Sequence, residues 1–297
     1  MLMEVKNNIR YFFNAVKIGI KSAMAYKVSF LVQVIFMVIN NFFFLIFWGV
    51  IFSNTGESSG ITFNNVLYLW SFSTIAYGVT YFFFGGVRKI NDYIITGSMD
   101  SFLLQPKNIL LNVLTSQCNF SAFGDILYGL AVGIAATGGD ISKMIILIFL
   151  GIFVSVFFIS TEIILRSLTV WIGDTKTIAN RYVEMLLITF STYPENIFKT
   201  GIKVLLYTVI PVAYLAYLPS NIMYQFNILD LLCVLLAGGI YLALAIFVFY
   251  KAIKNYESGN NMSMKGWKNK CVINLIFNNA LIFLYCNENN IFAIKYY

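Results

Sequence analysis

The chain has 297 residues, of which 59% are hydrophobic and 11% charged, with 29 phenylalanines and a mean hydropathy of +0.78. A soluble domain carries about 25% charged residues, so this composition excludes a water-soluble globule and demands a bilayer as solvent. Histidine is absent, which removes histidine bases, histidine metal ligands and the Ser-His and Cys-His catalytic pairs together.

The first 27 residues carry Lys6, Arg10, Lys17, Lys21 and Lys27 and lack the cleavage pattern of a signal peptide. On a helix, Lys6, Arg10, Lys17 and Lys21 fall on one arc, beside an arc of Ile9, Phe12, Phe13, Val16 and Ile20. This predicts an amphipathic helix over residues 1–27, lying on the membrane surface. Apolar runs of span length follow at Val28–Phe52, Asn65–Phe84, Ile109–Ala136 and Met144–Leu165. A weaker run is Thr177–Tyr193, and a strong one is Ile228–Tyr250. Between those two lies Ile202–Leu218, cut by Pro211 and followed by Pro219. Prolines at membrane depth are a mark of re-entrant segments sheltered by protein. Whether 202–218 spans or re-enters stays open on these grounds. The expected fold class is an all-α polytopic membrane protein with six transmembrane helices.

Loop charge orients the spans. With six crossings, alternate loops hold thirteen Lys/Arg on one side and three on the other. The positive-inside rule then puts both ends of the core in the cytoplasm. It also accounts for the net charge of +7 through the anionic inner leaflet, with no nucleic-acid partner required. Beyond Asn260 the tail, 261–297, is of another kind: KGWKNK, a short apolar run Cys271–Cys286, then NENN. That run suits a seventh span, an interfacial segment or neither.

Three acids fall inside spans: Asp125, Glu162 and Glu184. Ionisable groups at depth are rare and commonly functional. Glu162 has Arg166 four residues on, and Glu184 has Arg181 three before it, spacings that place each pair on one helix face. Asp125 has no local partner. These acids leave room for a stand-alone proton- or ion-coupled transporter, although no internal repeat accompanies them. The four cysteines, Cys118, Cys233, Cys271 and Cys286, form no CxxC and read as small apolar filler. No GxxxxGK[ST], HExxH or GxSxG is present, so ATP is not bound here through a P-loop. Gly85 and Gly86, after the second span, are expected to supply unusual backbone angles at a tight exit.

The stretch Val87–Asn108, VRKINDYIITGSMDSFLLQPKN, resembles a motif of the ABC-2 type membrane subunits of ATP-binding cassette exporters. There an arginine ends the second span, and an I-x-x-G-x-(L/M)-D-x-x-L-x-x-P element follows. Arg88, Ile94, Gly97, Met99, Asp100, Leu103 and Pro106 fill those positions. Phe123–Asp125 with Tyr128–Leu130, Tyr193-Pro194 followed by Ile210–Ser220, and Phe249–Asn260 match further segments in the family's order. The resemblance covers roughly residues 1–260, and the tail departs from it. It implies a transmembrane domain over 28–260 and a cytoplasmic coupling helix between the second and third spans. It also implies a re-entrant element before the last span, marked by Pro194, Pro211 and Pro219. It implies that the chain is a permease subunit and not an enzyme, with ATP and magnesium held by a separate ATPase chain. A second permease subunit, identical or paralogous, would complete the path in the cell membrane. The aromatic-rich spans suit a hydrophobic or amphipathic cargo, and equally suit contact with lipid. In the coupling helix, Met99, Phe102, Leu103 and Leu104 would supply apolar knobs. Asp100 would favour a helix N-terminus, and Pro106 would end the element.

Overall fold

The computed structural model describes residues 2–55, 62–208 and 210–257. The tail 261–297 and its apolar run lie outside the described residues, as does most of the loop after the first long apolar run. The described residues are helical throughout, with no strand among them. Helix α1, Leu2–Met24, precedes α2, Lys27–Thr55, and α3, Phe63–Phe84. A 3₁₀ turn, Gly85–Lys89, leads into α4, Ile90–Thr96, and α5, Asp100–Leu103. Then come α6, Ile109–Leu114, α7, Ala122–Thr137, and α8, Ile141–Ser167. The short α9, Thr169–Ile172, and α10, Lys176–Arg181, run into a π-helical stretch, Tyr182–Ile188, and α11, Thr189–Thr192. Last are α12, Thr200–Thr208, a second π-helical stretch, Ala213–Tyr217, continued by α13, Leu218–Tyr224, and α14, Ile228–Lys254.

Four of these helices are long and apolar enough to cross a membrane. They are Lys27–Asn54, Phe63–Thr96 (α3 continued through α4), Ile141–Ile172 and Ile228–Lys254. The bent pair α12–α13 would make a fifth. Two of the six expected spans are therefore not unbroken helices. The third, expected over Ile109–Ala136, is split into α6 and α7 by a polar break at Thr115–Ser121. Its longer piece has 16 residues, about 24 Å at 1.5 Å per residue, against a hydrocarbon core of about 30 Å. The fifth, Thr177–Tyr193, is assembled from α10, the π-helical stretch and α11.

Ends are fixed by side chains. Asp140 accepts from the Ser142 amide at 2.9 Å to start α8, and Asn227 from the Leu229 amide at 2.9 Å to start α14. Gly138 and Gly139 take positive φ, 63° and 81°, and turn the chain sharply between α7 and α8. Helix α3 sits at the centre, with α7 and α8 against it, α2 outside α7, and α14 outside α8. With no hydrophobic drive between helices in lipid, close approach through small residues does the packing. A Cβ on Gly129 of α7 would come within 2.6 Å of Thr74 Oγ1 and 2.7 Å of Ile75 Cγ1 on α3. Helix α1 is held against α3 and α6. Phe12 stacks on Phe84 at 5.4 Å, and Tyr11 donates to Asn112 Oδ1. Lys6, Arg10, Lys17 and Lys21 stay exposed.

Candidate functional site: a short turn element and the polar network behind it

The chain leaves α3 through Gly85 and Gly86, which lie against the backbone of the break below α7. A Cβ on Gly85 would stand 2.8 Å from the Gln117 carbonyl oxygen, and one on Gly86 would overlap that of Val113. Gly85 has an ordinary helical φ of −58°. Close approach, and not an unusual backbone angle, is what requires glycine here.

Helix α4 ends at Gly97, whose φ of 76° is left-handed, and the chain turns back on itself. The Met99 amide donates to the Tyr93 carbonyl at 3.0 Å and closes that turn. Met99 is fully buried and belongs to the same core cluster as Ile90, Ile94 and Val113. Phe102 leans on the Tyr93 ring at 4.9 Å. Leu103 is half-buried, and Leu104 is 86% exposed. The four expected knobs thus divide: Met99 and Phe102 face the protein, and Leu104 projects from it. Helix α5 is a single turn whose first residue is Asp100, with no side-chain cap. The helix stops at Leu103, before Pro106 is reached.

Several elements grip this segment. Asp92 pairs with Lys176 at 3.1 Å and with Lys89 at 3.5 Å. Asn112 donates to Gln105 Oε1 at 2.8 Å, and Lys107 stands over the Tyr11 ring at 4.3 Å. From the last helix, Tyr250 donates to Asn108 Oδ1 at 3.5 Å. Beyond it, the Tyr256 phenol is pushed up to about 12 by burial and by the carboxylate of Asp100.

Behind the segment lies a buried polar network. Arg166 and Glu162, each 1% exposed, form an ion pair. Arg166 also donates to Asn91 Oδ1 at 3.1 Å and to Asn180 Oδ1 at 2.8 Å. Tyr81 donates to the second Glu162 oxygen. Arg88 turns back toward the bundle, donating to the Tyr77 hydroxyl and covering the Tyr81 ring at 3.7 Å. Elements α3, α4, α8 and α10 therefore meet in one network, with every nitrogen of Arg166 engaged. A buried charge is tolerable only with such satisfaction. Asn91, Tyr81 and Asn180 were not singled out in the sequence, because their partners lie 14 to 81 positions away.

A family model described as "ABC-2 family transporter protein" matches residues 35–260. The chain belongs to the ABC-2 transporter family. It is thus a membrane transport protein, and the family's permeases are transport subunits. No curated protein and no solved structure matches it.

Within this ABC-2 chain the remaining acids part company. Asp125, 2% exposed on α7, accepts from Asn41 of α2 at 2.6 Å, and Tyr128 donates to the Asn41 carbonyl at 3.0 Å. Glu184 is exposed and forms no ion pair with Arg181, also exposed, among the described residues. The reason is local: the π-helical stretch starts at Tyr182 and widens the turn, so a spacing of three no longer aligns side chains. Pro194, Pro211 and Pro219 are all buried. Pro211 lies in the break where α12 and the following helix bend by 84°, and Pro219 sits in the first turn of α13. Of the cysteines, Cys118 is half-buried and Cys233 is exposed on α14, so Cys233 is not core filler.

Proposed function

We propose that this ABC-2 chain is the permease subunit of an exporter driven by a separate ATPase, and that residues 90–108 are the element the ATPase moves. The carrying observation is the arrangement of that segment. One exposed apolar side chain, Leu104, stands on a turn whose inner face is anchored by Met99 and whose flanks are tied to α1, α6 and α10. A push on Leu104 would move the turn as a body, because its inner side chains are packed and its polar atoms paired. The hydrogen bond from Arg166 to Asn91 would pass that motion from α4 to α8, and the one from Tyr81 to Glu162 would pass it on to α3. ATP and magnesium belong to the partner in this reading, and two permease subunits enclose the path.

The crossings are six in this proposal. The third is α6 with α7, the fifth is α10 to α11, and α12–α13 dips in from the outer side and returns. Both ends of the core 28–260 face the cytoplasm of a cell-membrane protein, with residues 1–27 on its inner surface. The cargo is hydrophobic or amphipathic. The test is substitution at the knob. Leu104→Asp leaves membrane insertion intact and abolishes ATPase capture and export. Full capture and export by Leu104→Asp would overturn the assignment.

A further inference from the structure

Helix α2 carries two neighbouring asparagines at the middle of its length, and only one is explained. Asn41 faces inward and donates to Asp125. Asn40 faces outward, exposed, and its amide makes no hydrogen bond to any described residue. An amide in hydrocarbon without a partner is costly, because lipid tails offer neither donor nor acceptor.

The rest of the helix shows where a partner would come from. Three sectors divide its surface. The inward sector, with Val34, Asn41 and Trp48, is buried. A second sector is aliphatic apart from one ring and exposed: Val28, Ile35, Ile39, Phe42 and Ile46. Between them runs a third, also exposed: Ser29, Gln33, Phe36, Asn40, Phe43 and Phe47. Its spacings are four, three, four, three and four. That is the seam of two helices crossing at about 20°. All the outward polar side chains of α2 within residues 28–50 fall on this seam, with Gln33 bonded to Ser29 Oγ at 3.1 Å. Hydrocarbon-facing sectors have no use for them, whereas helix contacts in membranes are built on such groups.

We infer that this seam docks α2 of a second copy of the chain, with the two Asn40 amides paired across a twofold axis. The choice of occupant rests on polar complementarity. An amide has both a donor and an acceptor, so two copies related by a twofold satisfy each other reciprocally. An apolar span or a lipid satisfies neither group. A single asparagine at such a position also fixes the register of a seam and the number of helices in it. The inference rests on the reading above that two permease subunits act together, and it deepens that reading by making them identical.

The experiment is cysteine cross-linking in membranes of cells making the full chain with Cys118, Cys233, Cys271 and Cys286 replaced by alanine. Single cysteines are placed at Phe36, Phe43 and Phe47 on the seam, and at Ile35, Ile39, Phe42 and Ile46 beside it. The expected result is an oxidised species of twice the chain mass from the seam set and not from the other. With cysteine at Phe43, Asn40→Leu lowers that yield several-fold and Asn40→Gln retains it. Equal yields from both sets, no dimer from either, or a cross-linked species of any other mass would overturn the proposal. The same membranes are probed for a co-purifying ATPase. Capture of the ATPase without seam cross-links sinks this inference alone. Seam cross-links without an ATPase sink the exporter reading and leave the seam standing.

Discussion

Met99 and Leu104 lie five positions apart in one short segment, and they face opposite ways. Met99→Asp would put a charge among Ile90, Ile94 and Val113, where nothing offsets desolvation. It is expected to lower the melting temperature in detergent by several degrees, while Leu104→Asp leaves it unchanged. The sequence offered both residues as knobs, since a list of apolar side chains does not say which way a left-handed turn at Gly97 throws them. The ion pair behind the segment allows a sharper test. Removing one partner, Glu162→Leu, strands the Arg166 charge and is expected to cost about 3–5 kcal/mol. Replacing both, Glu162→Leu with Arg166→Met, recovers most of it, because two buried charges then disappear together. Melting of the three proteins in one detergent measures the difference. This pair was legible from its spacing of four. Its continuation to Asn91, Asn180 and Tyr81 was not, because those contacts join separate elements.

At the scale of elements, long straight helices were the readable part. Lys27–Thr55, Phe63–Phe84, Ile141–Ser167 and Ile228–Lys254 differ by a few residues from runs visible in the hydropathy. Breaks were not readable, for a physical reason. Hydropathy averages over a span, and a seven-residue break at Thr115–Ser121, polar or small at every position but Phe120, vanishes inside twenty-odd apolar residues. The break is nevertheless well bonded. The Asn119 amide donates to the Tyr81 carbonyl at 3.0 Å, and Asn119 Oδ1 accepts from the Ser121 amide at 3.2 Å. Gly86 packs on the same segment, so Gly86→Val must displace a backbone carbonyl. We expect it to abolish folded, monodisperse protein by size exclusion. Gly49→Val, with nothing within 4 Å of the new Cβ, should leave the elution unchanged. The π-helical stretch at Tyr182–Ile188 was equally hidden, since an extra residue per turn leaves no mark on composition.

The whole molecule is arranged about α3, the helix with water and lipid both excluded from most of its surface. The charge asymmetry of the loops predicts an orientation that labelling tests directly. A cysteine replacing Ser101, in α5, should react with an impermeant maleimide only after the membrane is opened. One replacing Gly139, in the turn between α7 and α8, should react in intact cells. Labelling in the opposite order would invert the topology and remove residues 90–108 from the ATPase side. What no single chain's sequence or fold displays is the company it keeps. The central claim is that this ABC-2 chain moves cargo only with a separate ATPase acting on residues 90–108. Affinity capture of the tagged chain from native membranes, followed by mass spectrometry, tests it most directly. The account predicts a P-loop ATPase in near-stoichiometric amount with the unaltered chain, and its loss with Leu104→Asp. A chain that is captured without any ATPase, and still transports, would contradict it.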